Sequence, residues 1–211
     1  MRSARNPFHI FRARRRWAAA AAVLLAFRLL AAPAWAGNER IANLTTAVQN
    51  NAEATVTAEL IHWLTPKLQE DLQNGIPKDL FFYILIKKRQ AGWFDEEIAA
   101  KTIRHTIKYD TLTKQYQITT RDGDNTIQKV TDRLEDVSDL ISKLQNVKIT
   151  TQKRLRLRRT YYISVKAEMR ATQVPFYLEY ILFFIPVLEL DTPWADSAPF
   201  YAIEGDTNGG E

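Results

Sequence analysis

The sequence predicts an α+β, mainly β fold: an antiparallel, β-sandwich-like sheet with two helices inserted between its strands or packed on it. Several segments alternate apolar and polar side chains, as half-buried strands do, and two other segments show helical spacing. Strands and helices do not alternate regularly enough along the chain for a parallel doubly wound sheet.

Three predicted strands lie in the first half of the chain. Residues 37–52 contain a first strand and a turn, and residues 53–63 a second strand with alternating apolar and polar side chains. Residues 80–87 are apolar on both faces, which is typical of a strand in the centre of a sheet.

The first predicted helix has a signal at each end. Thr65 can cap free backbone amides, and Pro66, at the first helical position, has no amide to satisfy. Gly75 can adopt the left-handed conformation that ends a helix, and Pro77 cannot continue one.

The second half of the chain predicts a hairpin and a longer helix. Residues 97–109 and 115–120 are rich in β-formers and are joined by a polar loop. Apolar residues are spaced by three and four positions over residues 130–147, which predicts an amphipathic helix of about five turns.

The remaining elements are strands and a closing segment. Residues 154–158 and 161–169 alternate as strands do. Residues 175–190 are aromatic and apolar but carry two glutamates and an internal proline, Pro186, so we expect an element that closes over the core.

The composition is that of an ordinary globular chain. The 211 residues are 46% apolar and 25% charged, which fits one or at most two domains. The chain has no cysteine, which excludes disulfides, Cys-ligated zinc, iron–sulfur clusters, thiol catalysis and lipidation of an N-terminal cysteine.

The net charge of +5 comes from the N-terminal segment. Residues 1–36 hold seven arginines and no acid, which leaves 22 basic and 24 acidic residues in 37–211. A basic chain ordinarily suggests nucleic-acid binding, but here the excess lies in one terminal segment. We therefore predict no nucleic-acid partner.

Residues 1–36 have the three parts of a signal peptide: a basic flank, an apolar run and a small-x-small site that ends at Ala36. We expect cleavage after Ala36 and a periplasmic location. Residues 37–201 then form a single β-rich domain, and residues 202–211 a disordered tail. The alternative is an uncleaved N-terminal anchor that associates the protein with the inner membrane.

A basic patch is the first candidate binding site. On the predicted strand, Arg154, Arg156 and Arg158 project to one side and the intervening leucines to the other. Several arginines on one face can bind phosphates bidentately, so we predict contact with phospholipid head groups, lipopolysaccharide or an acidic protein surface. The alternative is a solvated face balanced by neighbouring acids.

Aromatic residues form the second candidate site. Trp93 and Asp95 lie in a turn between two strands, where Trp93 either caps the core or docks a ligand or partner. A pocket lined by Phe82, Trp93, Tyr109 and Tyr162 is the corresponding hypothesis for a small-molecule carrier or solute sensor.

The sequence predicts no catalytic residues, no cofactor and no metal site. His62 and His105 are the two histidines after the leader, and they lack metal-ligand spacing. The nucleophile-elbow, phosphate-loop and zinc-protease motifs are absent. A hydrolase built on these histidines is the weakest hypothesis, and it requires both side chains in one polar cleft.

Four signatures together resemble the exported bacterial family of the domain of unknown function 4390, over about residues 40–200. They are residues 72–77 with a Gly-Ile-Pro turn, residues 82–88, residues 92–95 with a Trp-x-Asp turn, and residues 107–112 with 116–118. Lys78 departs from the family pattern, which has an apolar residue after Pro77. Proteins of this family are often encoded beside a membrane sensor histidine kinase of the nitrogen-regulation type, so the resemblance implies an envelope or signalling-accessory role. It supplies no catalytic residues.

We therefore predict a non-enzymatic periplasmic domain that binds an envelope protein or an anionic lipid surface and acts as an accessory to a membrane sensor kinase. The alternative hypothesis is a small-molecule-binding carrier or solute sensor.

Overall fold

The computed structural model describes residues 38–50, 52–92, 94–151, 155–171 and 188–202. The predictions made for the leader, Trp93, Arg154, most of residues 175–190 and the tail after Ala202 lie outside the described residues.

The described residues form a mainly β fold of two antiparallel sheets and two helices, which confirms the predicted fold class. The smaller sheet has the order β1-β2-β7, with β1 (Arg40–Asn50), β2 (Glu53–Ile61) and β7 (Lys143–Thr150). The helices are α1 (Pro66–Gln73) and α2 (Leu134–Ser142).

The larger sheet has eight strands in the described part of the chain, in the order β10-β8-β3-β4-β5-β6, with β9 and β11 also paired to β8. Its strands are β3 (Lys78–Lys88), β4 (Glu96–Asp110), β5 (Gln115–Asp122), β6 (Asn125–Thr131), β8 (Thr160–Ala171), β9 (Leu188–Asp191), β10 (Ala195–Asp196) and β11 (Phe200–Tyr201).

Both sheets contribute to one hydrophobic core. Alternating residues of β3, from Leu80 to Ile86, are completely buried, and so are their partners on β8, from Ile163 to Met169. The smaller sheet adds side chains such as Val56 and Ile149. The prediction of a central strand at residues 80–87 is confirmed, because β3 lies between β4 and β8.

The signals read at the ends of α1 are confirmed. The Thr65 hydroxyl accepts a hydrogen bond from the Leu68 amide at 3.2 Å, and Pro66 is the first helical residue. Gly75 follows the helix with φ +80°, and its amide donates to the Leu72 carbonyl at 2.9 Å. Each signal acts on backbone groups within a few residues, so it does not depend on the rest of the fold.

Replacing Thr65 with alanine is expected to lower the free energy of unfolding by about 1 kcal/mol, because the Leu68 amide loses its capping acceptor. Thr65→Ser keeps the hydroxyl and is expected to retain most of the stability. Urea unfolding followed by circular dichroism measures both, and equal losses in the two variants contradict the capping role.

The predicted five-turn helix over residues 130–147 is wrong. Only Leu134–Ser142 are helical; Val130 lies in β6, and Lys143 begins β7. The cause is a β-bulge: Val147 pairs with Val56 and Leu144 with Ala58, so three steps on β7 match two on β2. The extra residue places two apolar residues of the strand, Leu144 and Val147, three positions apart, which is also a helical spacing.

Candidate functional site

Two loops meet at one end of the larger sheet. Loop 89–95 joins β3 to β4, and loop 151–159 joins β7 to β8. Lys88 lies opposite Tyr161 in the ladder, and the Arg89 amide donates to the Thr160 carbonyl at 2.9 Å. The fold therefore brings together the two binding regions that the sequence predicted separately. We call this region, residues 87–89, 94–95 and 155–159, the basic end.

The prediction of a strand over residues 154–158 is wrong, because the described residues 155–159 form a loop with a turn at Leu157 and Arg158. Arg158 has φ +57°, which an extended strand does not allow. The Arg156 amide donates to the Tyr161 hydroxyl at 2.9 Å, which holds the loop against the start of β8. Leu155 is buried, whereas Leu157 is 49% exposed, so the leucines do not share a buried face.

The arginines of this loop are free to meet a partner. Arg156, Arg158 and Arg159 are exposed, and none forms an ion pair within the described part of the chain. Arg156 and Arg158 are thus presented by a loop and not by a strand, and binding through them stays a prediction.

Other cations of the basic end lie over aromatic rings. The Lys87 ammonium is 5.2 Å from the centre of the Trp194 ring, and the Arg89 guanidinium 5.4 Å from that of Tyr162. Lys88 pairs with Glu96.

Asp95 fastens loop 89–95 to the sheet. Its carboxylate accepts hydrogen bonds from the Tyr162 hydroxyl at 2.6 Å and from the Gln90 amide at 3.0 Å. The bond from Tyr162, and to a smaller extent the bond from Gln90, holds the pKa of Asp95 below its usual value. Burial and the hydrogen bond to Asp95 raise the pKa of Tyr162 to about 12. Both acceptor oxygens are engaged, so Asp95 positions the loop.

The loop that Asp95 holds presents an apolar side chain. Phe94 is 90% exposed, and it precedes Asp95 in the same loop as Arg89. Loop 151–159 has a matching pattern, with Leu157 exposed between Arg156 and Arg158. Each loop of the basic end therefore offers an exposed apolar residue close to cations.

The predicted aromatic pocket is wrong. Phe82 is completely buried and pairs with Ala167 on the inner face of the larger sheet. On β8, Tyr162 lies five residues before Ala167, and side chains an odd number of residues apart on a strand point to opposite faces. Tyr162 therefore lies on the outer face. Tyr109 packs on Tyr116, with ring centres 4.7 Å apart. Side chains on opposite faces of one sheet cannot line a common pocket.

The histidines lie in different environments, which does not fit the shared cleft that a hydrolase requires. His62 is exposed at the end of β2, with φ +58°. His105 is buried on the inner face of β4, where its Nδ1 lies 2.9 Å from the Thr120 hydroxyl. Burial lowers the pKa of His105 to about 4, so the ring is neutral at physiological pH.

Lys78 is a structural residue that the sequence reasoning did not identify. It is 1% exposed, and its Nζ lies 2.8 Å from Asp71 Oδ2 and 2.6 Å from Glu189 Oε1. These contacts join α1, β3 and β9. The departure from the family pattern after Pro77 was the signal, because a lysine at an apolar position needs a charged partner.

Two further features bear on chemistry. Across residues 38–202, as far as they are described, no three acidic or histidine side chains group to hold a metal ion. No helix among the same residues is long and apolar enough to cross a membrane.

Comparison with known proteins yields a family but no characterised relative. No curated protein and no solved structure shows significant similarity to this chain. The family model described as domain of unknown function (DUF4390) matches residues 38–197, which include the smaller sheet, the described strands of the larger sheet except β11, and the basic end. The chain therefore belongs to the DUF4390 family.

Proposed function

We propose that the protein is an exported, non-enzymatic domain of the cell envelope that binds anionic lipid surfaces through its basic end. One observation carries the proposal: two adjacent loops each hold an exposed apolar residue together with exposed arginines, Phe94 with Arg89 in one and Leu157 with Arg156 and Arg158 in the other.

The chemistry of these loops suits a lipid surface. A cation near an anionic leaflet contributes about 1 kcal/mol, so Arg156, Arg158 and Arg159 together contribute about 3 kcal/mol. Burial of an exposed Phe side chain such as Phe94 adds about 2 kcal/mol. Neither contribution gives stable attachment alone, and together they support reversible binding.

Removal of the leader by cleavage after Ala36 is part of this proposal. N-terminal sequencing of the exported protein is therefore expected to begin at Gly37.

Binding at the inner-membrane surface would place the domain beside membrane proteins. A membrane sensor kinase is the neighbour that the family resemblance implies, and an accessory role there is part of the proposal.

Replacing Arg156, Arg158 and Arg159 with glutamine is expected to weaken partition onto phosphatidylglycerol vesicles on the order of 100-fold, because about 3 kcal/mol of electrostatic attraction is lost. Co-sedimentation of the protein recovered from the cell envelope measures the partition. The wild-type protein is expected to dissociate as salt is raised and to leave phosphatidylcholine vesicles unbound.

The matched control replaces Lys108, Lys114 and Arg121, exposed cations of the β4–β5 hairpin, with glutamine. It removes the same charge and is expected to bind almost as the wild type does. Phe94→Ser tests the apolar contribution. This variant is expected to bind more weakly than the wild type at every salt concentration at which wild-type binding can be measured. Equal losses in the two triple variants, or binding that salt does not change, would refute the proposal.

A further inference from the structure

Two consecutive tyrosines at the start of β8 each hold one loop of the basic end. β8 begins at Thr160, and Tyr161 and Tyr162 follow it. Side chains of neighbouring residues on a strand point to opposite faces, so the two rings lie on different sides of the larger sheet. Both tyrosines are buried, at 2% and 6% exposure, and each hydroxyl forms a hydrogen bond with a loop.

Tyr162 holds loop 89–95 at both of its ends. Its hydroxyl donates to the Asp95 carboxylate at 2.6 Å, and the Arg89 guanidinium lies over its ring, 5.4 Å from the ring centre. Hydrogen bonds to a charged acceptor are stronger than those between neutral groups. Phe94, the exposed apolar residue of this loop, therefore directly precedes a residue that is fixed to the sheet.

Tyr161 holds loop 151–159 from the other face of the sheet. Its hydroxyl accepts a hydrogen bond from the Arg156 amide at 2.9 Å, and its ring stacks on that of Phe200, with ring centres 6.1 Å apart. Leu157, the exposed apolar residue of this loop, directly follows Arg156. The hydroxyl therefore fixes the backbone immediately before Leu157.

Because both loops are fixed to one strand, they are also fixed to each other. β8 pairs with β3 from Tyr161 to Ala171, so the strand that carries the two tyrosines is a rigid base. The backbone beside Phe94 and beside Leu157 is thus ordered before a partner binds. A loop that is already ordered loses little conformational entropy on binding, and preorganisation of this kind raises the affinity.

We propose that Tyr161 and Tyr162 are positioning residues for lipid binding: their hydroxyls hold Phe94 and Leu157 so that both side chains contact one lipid surface together. The inference rests on the proposed function of the basic end. The tyrosines are too buried to contact lipid themselves, and each acts through the loop that it holds. Removing either hydroxyl therefore weakens binding without removing a charge or an exposed apolar side chain.

Hydrogen exchange of two backbone amides tests the positioning without lipid. The Gln90 amide donates to the Asp95 carboxylate, which Tyr162 holds. The Arg156 amide donates to the Tyr161 hydroxyl. Tyr162→Phe is expected to speed exchange of the Gln90 amide about tenfold and to leave that of the Arg156 amide unchanged. Tyr161→Phe is expected to have the reverse effect, and NMR of the isotopically labelled exported protein measures both.

Vesicle binding tests the consequence for function. Each tyrosine-to-phenylalanine variant is expected to bind phosphatidylglycerol vesicles about fivefold more weakly than the wild type, because its loop must then be ordered on binding. In a Phe94→Ser background, Tyr162→Phe is expected to cause no further loss, since the loop has no apolar side chain left to position. Tyr161→Phe keeps its full effect there. In a Leu157→Ser background the two tyrosines exchange these roles.

Tyr83→Phe is the matched control. It removes a tyrosine hydroxyl that accepts a hydrogen bond from Arg170 at 3.2 Å, in the middle of β3, and is expected to match the wild type in both measurements. Amide exchange that neither tyrosine variant changes, or equal losses in the Tyr83 variant, would overturn the inference. Wild-type binding that the tyrosine variants fully retain refutes this inference alone, whereas a wild-type protein that leaves the vesicles unbound refutes the proposed function as well.

Discussion

Replacing Lys78 with methionine is expected to lower the free energy of unfolding by about 3 kcal/mol or more. The Lys78 ammonium is 1% exposed and holds Asp71 and Glu189 from two other elements. Methionine fills the same space but leaves Glu189 without a cation and Asp71 with only the exposed Lys67, although each carboxylate is about four-fifths buried. In the wild-type protein the hydrogen bond from Lys78 is the main cause of the lowered pKa of the Asp71 carboxyl, so the ionised form of Asp71 depends on Lys78.

Urea unfolding followed by circular dichroism measures the loss. Lys67→Met is the matched control, because Lys67 pairs with the same Asp71 at 3.0 Å but is 79% exposed, and its removal is expected to cost under about 1 kcal/mol. Adding Asp71→Leu and Glu189→Leu to Lys78→Met is expected to restore much of the stability, because no buried charge then lacks a partner. A loss under 1 kcal/mol for Lys78→Met alone contradicts the assigned role.

Lowering the pH from 6.5 to 4 is expected to reduce the free energy of unfolding by about 3 kcal/mol through His105. Burial lowers the pKa of His105 from 6.5 to about 4 in the folded protein. Between these values the unfolded chain binds a proton that the folded protein does not, so protonation favours unfolding. The stabilisation is present above pH 6.5, where both states are neutral, and falls as the pH approaches 4.

The His105 contribution appears as a difference between variants in urea unfolding at several pH values. His105→Gln is expected to flatten the dependence between pH 6.5 and 4.5, above the range in which most carboxylates titrate. His62→Gln, at the exposed histidine, is expected to keep the wild-type slope. An unchanged slope in His105→Gln, or a flattened slope in His62→Gln, would show that His105 is not the source of this pH dependence.

Sequence patterns failed where long-range pairing decided the outcome. Lys143 to Thr150 form a strand because β2 offers them an edge, and the bulge at Asn146 disguises the strand period. The sequence Asn125–Thr131, which follows the turn at Gly123, alternates weakly and was assigned in part to the helix. The pairing of β6 with β5 was decided by the register of the sheet, which no local pattern indicated.

The sequence by itself determined the features that depend on neighbouring residues: the ends of α1 at Thr65 and Gly75, the alternation in β2 and β8, the central apolar strand β3, and membership of the family. The tertiary structure alone decided which face each aromatic residue occupies, that Lys78 is buried between two carboxylates, and that Arg89 meets Thr160. The physical reason is that capping, turn and period signals act over a few residues, whereas strand partners and register are selected by burial of the whole core at once.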